Sequence, residues 1–166
     1  MAEGEIAYGA VVPLPPDAAF AFVSDPSTWP RFFDTLESAE PLDGWGTVGG
    51  RGRMTTRFLG SSVTSELELT EWDPPRAFRY TARQAGRPDL DNVRVFTPIG
   101  SGTQLRGTST LRPRPGVRGL IDRVTLRVLA RVYGKAMRRL PEVAGGAAGP
   151  TLTGGLLDVR HRLPSD

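Results

Sequence analysis

The feature that most constrains the fold is a series of segments that alternate polar and apolar residues and end in one long helical pattern. In SSVTSELELTEW, Val63, Ser65, Leu67 and Leu69 alternate with more polar neighbours, which is typical of a strand with one buried face. The segments RAFRYTAR and GTQLRGTSTLRP alternate in the same way. Turn residues at 73–75, 86–88 and 100–102 separate these segments at the short spacing of an antiparallel meander. The chain therefore predicts an antiparallel sheet with one buried face.

The remaining segments supply a first strand, a further strand and the helices that cover the sheet. Residues 5–14 and the segment RGRMTTRFLG predict strands, while PPDAAFAFVSD and DPSTWPRFFDTL predict two short helices with prolines near their starts. From residue 117 to residue 140 an apolar stripe recurs at helical spacing, and we expect it to face the sheet and the helix to end before Pro141. The stripe consists of Val117, Leu120, Ile121, Val124, Val128, Val132 and Ala136, extended by Leu129, Tyr133 and Met137.

This order of elements predicts an α+β fold with a curved antiparallel sheet of about seven strands, two short helices and a long C-terminal helix. The long helix spans about 36 Å at 1.5 Å per residue. Because one such helix rarely fills the concave face of a sheet, we expect a cavity between the two. We expect residues 1–143 to form one domain and the Gly-rich residues 144–166 to be disordered.

Composition narrows the chemistry. The chain has no cysteine and one histidine, His161 in the tail, so we expect neither disulfides, nor a thiol or imidazole catalyst, nor a metal site. The absence of a long apolar run and of a signal-peptide pattern predicts a soluble cytoplasmic protein. A net charge of +3 and the lack of a recognised motif give no support for nucleic acid as a partner. We also expect no cofactor.

Several local motifs resemble the START-like (SRPBCC) superfamily, specifically its polyketide cyclase/dehydrase branch. They are VPLPPDAAFAFVSDPSTWPRFF, VGGRGR, ELTEWDPPRAFRYTA and FTPIGSGTQL, within residues 5–140. The resemblance implies a helix-grip fold with a deep hydrophobic cavity, which the two short helices close at one end. It also implies a hydrophobic small-molecule ligand such as a polyketide, lipid or quinone. Two classes of function stay open: a cyclase or dehydratase-type enzyme, and a non-catalytic carrier or ligand sensor.

The segment GWGTVG contains the spacing G-x-G-x-x-G at Gly44, Gly46 and Gly49. In a dinucleotide site this motif follows a strand and opens a helix. The residues that follow here are strand-like, so the motif predicts a loop between strands.

Candidate ligand-binding residues are those expected on the inward faces of the strands and helices. Small hydroxyls among them either bond locally or line a wet cavity. Trp29 and Phe33 are expected to share one helical face and to point into the cavity, with Phe32 packing near Phe20. The full set is Trp29, Phe33, Met54, Thr56, Phe58, Ser65, Leu67, Phe78, Tyr80, Arg94, Phe96, Ser109, Val128 and Val132.

The segment NVRVFTP presents a choice between two faces. Hydrophobicity alone turns Val93 and Val95 inward, whereas the family resemblance implies an inward Phe96, and the period of two then carries Arg94 inward with it. A buried arginine needs an acidic partner or a ligand anion. Arg94 is therefore the best single candidate for a polar ligand contact.

Other charged residues are expected on the surface. Arg51, Arg53 and Arg57 share the strand face opposite Met54, Thr56 and Phe58, and we expect that face to be solvated. The alternative is that one of these arginines turns into the cavity and holds a phenolate, carboxylate or enolate oxygen of a ligand.

Among the carboxylates, Glu66, Glu68 and Asp122 are expected in solvent, and Asp34 and Glu37 have no evident partner. No residue is therefore identified as catalytic.

Basic residues also follow the long helix at a spacing of four (Arg123, Arg127 and Arg131) and continue with Lys135 and Arg138. They are expected to form its solvated face, or to contact an anionic membrane or an acidic carrier protein weakly. Lipid insertion is not expected, because the sheet should occupy the apolar stripe.

Overall fold

Seven strands form a single antiparallel sheet in the computed structural model, which describes residues 4–58 and 60–148. The strands are β1 (Gly4–Val12), β2 (Leu36–Pro41), β3 (Arg51–Phe58), β4 (Ser61–Asp73), β5 (Ala77–Arg83), β6 (Leu90–Ile99) and β7 (Gly102–Leu111). Their order across the sheet is β1-β7-β6-β5-β4-β3-β2, so every neighbouring pair except β1 and β7 is consecutive in sequence. The helices are α1 (Pro16–Ser24), a 3₁₀ helix (Pro26–Arg31) and α2 (Val117–Ala148). Two short helices and a long C-terminal helix that packs on a curled sheet make this the predicted helix-grip α+β fold.

The period-two pattern places the inward residues of the central strands correctly. On β4, Ser65, Leu67 and Leu69 are buried while Glu66 is exposed. The alternation then shifts at an irregularity between Leu69 and Glu71. On β5 and β7 the predicted inward residues are likewise buried, because the concave face is covered by the helices.

The loop after β2 carries the three glycines of the G-x-G-x-x-G spacing. Gly44, Gly46 and Gly49 have φ of 69°, 103° and 85°, a left-handed region in which a side chain is strained. The loop leads into β3 and not into a helix. The glycines therefore serve the chain reversal between two strands, as predicted.

The strand β2 was not predicted as an element of its own. Only Ala39 is buried in its six residues, so the segment lacks the apolar series that marks the other strands. Its pairing with β3 forms one edge of the sheet.

The helix α2 does not end before Pro141, and the prediction of a stop there is wrong. It continues through Pro141 to Ala148, with Leu140 and Ala144 fully buried on either side of the proline. Burial of these neighbours against the core supplies packing that offsets the hydrogen bond that proline removes. The predicted boundary at residue 143 falls inside this helix, and residues 149–166 of the predicted tail lie outside the described residues.

The face of α2 that meets the sheet also differs from the prediction in its first half. Val117, Leu120, Ile121 and Val124 are exposed, whereas Leu126 and the residues that continue its face are buried. In the second half the buried residues include Ala130, Tyr133, Ala136, Met137, Leu140 and Ala144. A straight helix that buries these residues turns the first four outward, because their positions lie on the opposite side of the helical wheel.

Candidate ligand-binding site

A cavity of about 320 Å³ lies between the first half of α2 and the strands β3, β4 and β5. Four of the predicted ligand-binding residues line it: Met54, Thr56, Phe58 and Ser65. Its other lining residues are Val63, Ala82, Gln84, Gly86, Arg87, Pro88, Leu90, Leu111, Arg114, Ile121, Asp122, Thr125 and Leu129. The mixture of apolar walls with a few polar groups is typical of sites for small hydrophobic molecules.

The other predicted ligand-binding residues lie beyond this cavity. Leu67, Phe78 and Phe96 are buried in the core, and aromatic rings fill much of the space that the prediction left open. Val128 and Val132 are half-buried and do not line the cavity, since Thr125 and Leu129 occupy that face of the helix.

The aromatic segment at residues 27–36 packs its rings into the interior. Trp29 is 1% exposed, donates from Nε1 to the carbonyl oxygen of Val23 at 2.8 Å, and packs on Tyr80. Phe33 meets the ring of Tyr133 edge to face. Phe32 contacts Phe22, so the expected contact with Phe20 is not the one formed. Neither Trp29 nor Phe33 lines the cavity directly.

The choice on β6 is resolved in favour of an inward Arg94. Asn92, Arg94 and Phe96 are buried, while Val95 is exposed. Arg94 is 1% exposed, and each of its nitrogens has a neutral partner. Nε donates to the Tyr8 hydroxyl at 3.4 Å, Nη1 to the Val23 carbonyl at 3.3 Å and Nη2 to the Tyr80 hydroxyl at 3.2 Å.

Aromatic faces complete the surroundings of the guanidinium. Its carbon lies 4.8 Å from the ring centre of Trp29, 5.5 Å from that of Phe78 and 5.6 Å from that of Tyr80. Such contacts attract a cation, and more strongly where water is excluded. Within residues 4–58 and 60–148, no carboxylate forms an ion pair with Arg94. The charge is thus buried among neutral groups.

Hydrogen bonds join the polar side chains around Arg94 in two sets. Because a guanidinium has only donors, the Tyr80 oxygen accepts from it and the Tyr80 proton points elsewhere. The Tyr133 hydroxyl donates to Oδ1 of Asn92 at 2.9 Å. The same Oδ1 accepts from Ser109 Oγ at 2.5 Å. We call these residues and Tyr8 the polar cluster: Tyr8, Tyr80, Asn92, Arg94, Ser109 and Tyr133.

The strand register fixes the order of the cavity and the polar cluster. Three rows of inward residues cross β5, β6 and β7, and they are Ala82, Leu90 and Leu111, then Tyr80, Asn92 and Ser109, then Phe78, Arg94 and Gly107. The first row lines the cavity. Each row follows the last by two residues, or about 6.7 Å along the strands. The polar cluster therefore begins one row beyond the row that lines the cavity, with its cation in the row after that, and none of its residues is among those that line the cavity.

Burial keeps two phenols of the polar cluster, those of Tyr80 and Tyr133, neutral. It raises the pKa of Tyr80 to about 12 from an ordinary 10.0, against the opposing effect of Arg94. Burial likewise raises the pKa of Tyr133 well above its ordinary value. Both hydroxyls are thus available as hydrogen-bond donors at neutral pH.

This shift predicts a loss of stability at high pH. The folded protein holds the Tyr80 proton between pH 10 and about 12 while the unfolded chain releases it, so stability is complete below pH 10 and falls above it. At 1.36 kcal/mol per pKa unit, Tyr80 alone accounts for about 3 kcal/mol of this loss. All three tyrosines of the chain belong to the polar cluster, so phenolate absorbance reports on it alone. We expect at least two of the three to stay protonated at pH 11 until the protein unfolds; titration of all three near pH 10.0 in the folded protein would contradict this.

A glycine makes room for Tyr8 beside Arg94. On β7, Gly107 pairs with Tyr8 on one side and with Arg94 on the other. A Cβ at position 107 would lie 2.2 Å from Cε2 of the Tyr8 ring, which is closer than atoms can approach.

We therefore expect Gly107→Ala to displace Tyr8 and to lower the free energy of unfolding by about 1–3 kcal/mol, the usual effect of overpacking. Urea unfolding measures this effect. Gly146→Ala is the control, because nothing lies within 4 Å of its Cβ. The penalty at position 107 should shrink when Tyr8→Leu is present, and an equal penalty in both backgrounds would refute the contact.

Asp122 is not in solvent as predicted but is 3% exposed at the mouth of the cavity. It accepts from the backbone N, Nε and Nη2 of Arg114 at 2.9, 3.0 and 2.8 Å. Arg114 also donates to the carbonyl oxygen of Gly86 at 2.7 Å. The hydrogen bonds from Arg114 hold the pKa of Asp122 below its usual value. This pair ties the start of α2 to the loops around the mouth.

Several other charged residues form surface pairs. Arg51, Arg53 and Arg57 are exposed, as predicted. Two carboxylates without a predicted partner have one: Glu37 binds Arg57 and Ser62, and Asp34 binds Lys135.

In the part of the chain that the structure describes, no group of histidine, cysteine or carboxylate side chains could hold a metal ion. None of the described helices is long and apolar enough to cross a membrane.

The family is decided by the extent of the sequence match. The sequence model of the family described as polyketide cyclase / dehydrase and lipid transport matches residues 4–145. The chain belongs to this family. The match covers the whole sheet and nearly all of α2, and therefore the cavity and the polar cluster. No curated protein sequence matches the chain.

Solved structures share the fold of this family member. TTHA0849 from Thermus thermophilus is 21% identical, with a TM-score of 0.71 over 87% of this chain and 99% of that one. CV1439 from Chromobacterium violaceum is 18% identical, with a TM-score of 0.68 over 86% and 99%. The di-domain ARO/CYC StfQ from the steffimycin biosynthetic pathway is 19% identical, with a TM-score of 0.69 over 89% of this chain and 52% of StfQ. At these identities the likeness shows the fold alone.

Sequence reasoning missed three members of the polar cluster in this family member. Tyr8 lies in the predicted first strand, on the same face as the apolar Ile6 and Ala10, and nothing in that pattern marks it as a site residue. Asn92 lies two residues before Arg94 on β6, so an inward Arg94 implies that Asn92 also faces inward. Tyr133 lay in the predicted helical stripe, but nothing in the stripe shows which hydroxyl it reaches.

Proposed function

We propose that this protein binds a hydrophobic small molecule that carries an acidic or enolisable oxygen at one end. The apolar body lies in the cavity, and the oxygen meets the polar cluster at its inner end. The observation that carries this proposal is the fully buried Arg94 with no carboxylate partner in the described part of the chain.

A purely structural role explains Arg94 poorly. Removing a cation from water costs several kcal/mol, which neutral hydroxyls and aromatic faces offset only in part. An apolar residue of similar length would fill the same space without that penalty. An anionic oxygen of a ligand would supply the missing negative charge, and its hydrogen bonds to charged or polarised donors would be strong.

The polar cluster gives Arg94 a way to act on a ligand at the cavity end. Arg94 donates to Tyr80 and polarises it, while Tyr133 and Ser109 both donate to Oδ1 of Asn92. A ligand oxygen at this end could take the hydroxyl of Ser109 or Tyr133 as donor in place of Asn92. Preorganised donors of this kind stabilise phenolate and enolate oxygens in a site that excludes water.

The cavity and the polar cluster suit either a cyclase or a non-catalytic carrier or sensor. Because both functions require ligand binding, the chemistry of the residues favours binding as the step that they share. A cyclase of polyketide type needs a shaped cavity that holds the chain folded and donors for the developing enolate. The family description and the ARO/CYC name of StfQ favour an oxygen-rich aromatic ligand as the first class to test. A carrier or sensor needs the same cavity without turnover.

The presence of a ligand is tested by native mass spectrometry of the freshly purified protein. We expect a bound lipophilic mass that is released by organic solvent. A spectrum that shows only the bare chain, together with no binding of 2-naphthoate by calorimetry, would contradict the proposal.

A further inference from the structure

An exposed apolar ridge runs along the first half of α2. Its four residues are, in chain order, 80%, 64%, 57% and 51% exposed, and these fractions are large for aliphatic residues. They recur at positions i, i+3, i+4 and i+7, so they form one continuous face. We call this face the outer stripe: Val117, Leu120, Ile121 and Val124. Contiguous exposed apolar surface of this kind marks a site of interaction.

Arginines flank the outer stripe on both sides. From the helical angles, Arg123 and Arg127 lie along one side and Arg118 lies on the other. In the described part of the chain none of the three forms an ion pair. The one acidic residue between positions 117 and 140, Asp122, is buried against Arg114. The exposed surface of this half of the helix is therefore apolar and positively charged, with no negative charge.

The outer stripe adjoins the mouth of the cavity. Ile121 is both part of the stripe and part of the cavity lining, and Thr125 lines the cavity one turn further on. Across the mouth, the Arg87 guanidinium lies over the ring of Phe58 at 5.4 Å. A partner that covers the stripe would therefore face the opening through which a ligand enters.

We propose that the outer stripe docks on an anionic lipid surface, with the aliphatic side chains in the headgroup region and the three arginines on the lipid phosphates. An apolar helical face flanked by basic residues has the features of helices that lie in a membrane interface. The proposal is independent of the ligand and reverses the expectation that the sheet occupies this stripe.

Charge argues against a second copy of this chain as the occupant. Two outer stripes packed face to face would bring Arg118, Arg123 and Arg127 of both copies together, and like charges there oppose association. Phospholipid headgroups instead supply the negative charge that the three arginines lack.

Site-specific fluorescence tests the proposal on the full chain. Because the chain has no cysteine, Leu120→Cys can be labelled with an NBD fluorophore, and Val48→Cys in the loop after β2 is a matched exposed control. We expect the label at 120 to brighten and shift to the blue with vesicles of phosphatidylcholine and phosphatidylglycerol, but not with phosphatidylcholine alone. High salt should reverse the change, and the label at 48 should not respond.

Unlabelled variants separate the two parts of the surface in vesicle sedimentation. Leu120→Ser with Val124→Ser, and separately Arg118→Gln with Arg123→Gln and Arg127→Gln, should each weaken binding to anionic vesicles by about tenfold or more. Two control variants should bind like the wild type: Val48→Ser with Ile99→Ser, and Arg51→Gln with Arg106→Gln.

Four results would overturn the proposal. The first is no response of the label at 120 to anionic vesicles. The second is a dimer in light scattering that Leu120→Ser with Val124→Ser abolishes, since the stripe would then be an interface between copies. The third is a label at 120 that is already blue-shifted in the vesicle-free monomer, because another part of the chain would then cover the stripe. The fourth is a label that responds to a purified acidic carrier protein and not to vesicles.

Discussion

Replacing Arg94 with methionine is expected to leave a folded protein that binds 2-naphthoate about tenfold more weakly or worse, since hydrogen bonds to charged groups are worth about 1.5–3 kcal/mol. Methionine fills a similar volume without the cost of a buried cation, so we expect the free energy of unfolding to stay the same or to rise. Calorimetry measures the affinity and urea unfolding the stability. A large loss of stability with unchanged affinity would assign Arg94 a structural role instead.

Two further variants isolate the charge. Arg94→Lys keeps the positive charge without the planar fork and should recover part of the affinity. Arg106→Met, on the exposed face of β7, is the matched control and should bind 2-naphthoate like the wild type.

Filling the cavity is the second change with a large expected effect. Ala82 lies in the row that lines the cavity, beside Leu67 and Leu90, and it is buried. We expect Ala82→Phe to place its ring in the 320 Å³ cavity and to abolish measurable binding of 2-naphthoate. Because the ring is buried against apolar walls, the free energy of unfolding should rise by about 1–2 kcal/mol.

The sign of the change in the free energy of unfolding shows whether the cavity can accept the ring. A ring forced into a closed core would lower stability by about 1–3 kcal/mol instead. Val95→Phe, on the exposed face of β6, adds a ring of the same size outside the cavity and should leave binding unchanged. Binding that survives Ala82→Phe would place the ligand elsewhere.

The sheet could be predicted because its signal is local. The period of two on β4, β5 and β7 records which side of each strand meets the core, and turn residues mark where each strand ends. The edge strand β2 has one buried residue, Ala39, and so its sequence shows no alternation of buried and exposed positions. A strand can be predicted from sequence when one of its faces is buried, whereas an edge strand with little burial shows no alternating pattern.

The orientation of α2 could not be predicted because the sequence offers two apolar faces in its first half. One contains Leu120 and Val124, and the other contains Leu126. The choice depends on partners that are distant in sequence: the stacking of Tyr133 on Tyr8 at 4.5 Å, and the binding of Asp122 by Arg114. No pattern within the helix records these contacts.

The sequence predicted Arg94 as a ligand-binding residue. It did not predict that the guanidinium would have no carboxylate partner in the described part of the chain. The period of two on β6 limits the inward face to two choices, and Phe96 indicates the right one. Which groups surround the guanidinium depends on β1, α1 and the 3₁₀ helix, which approach it from elsewhere in the chain. The neutral surroundings became visible only in the folded structure.

The most direct test of the central claim is the ratio of the affinities for 2-naphthoate and its neutral isostere 2-naphthamide, measured in the wild type and in Arg94→Met. If Arg94 is held inside the protein to meet a ligand anion, the wild type should prefer the carboxylate by about tenfold or more, and the variant should lose that preference. The same ratio in both proteins would contradict the account.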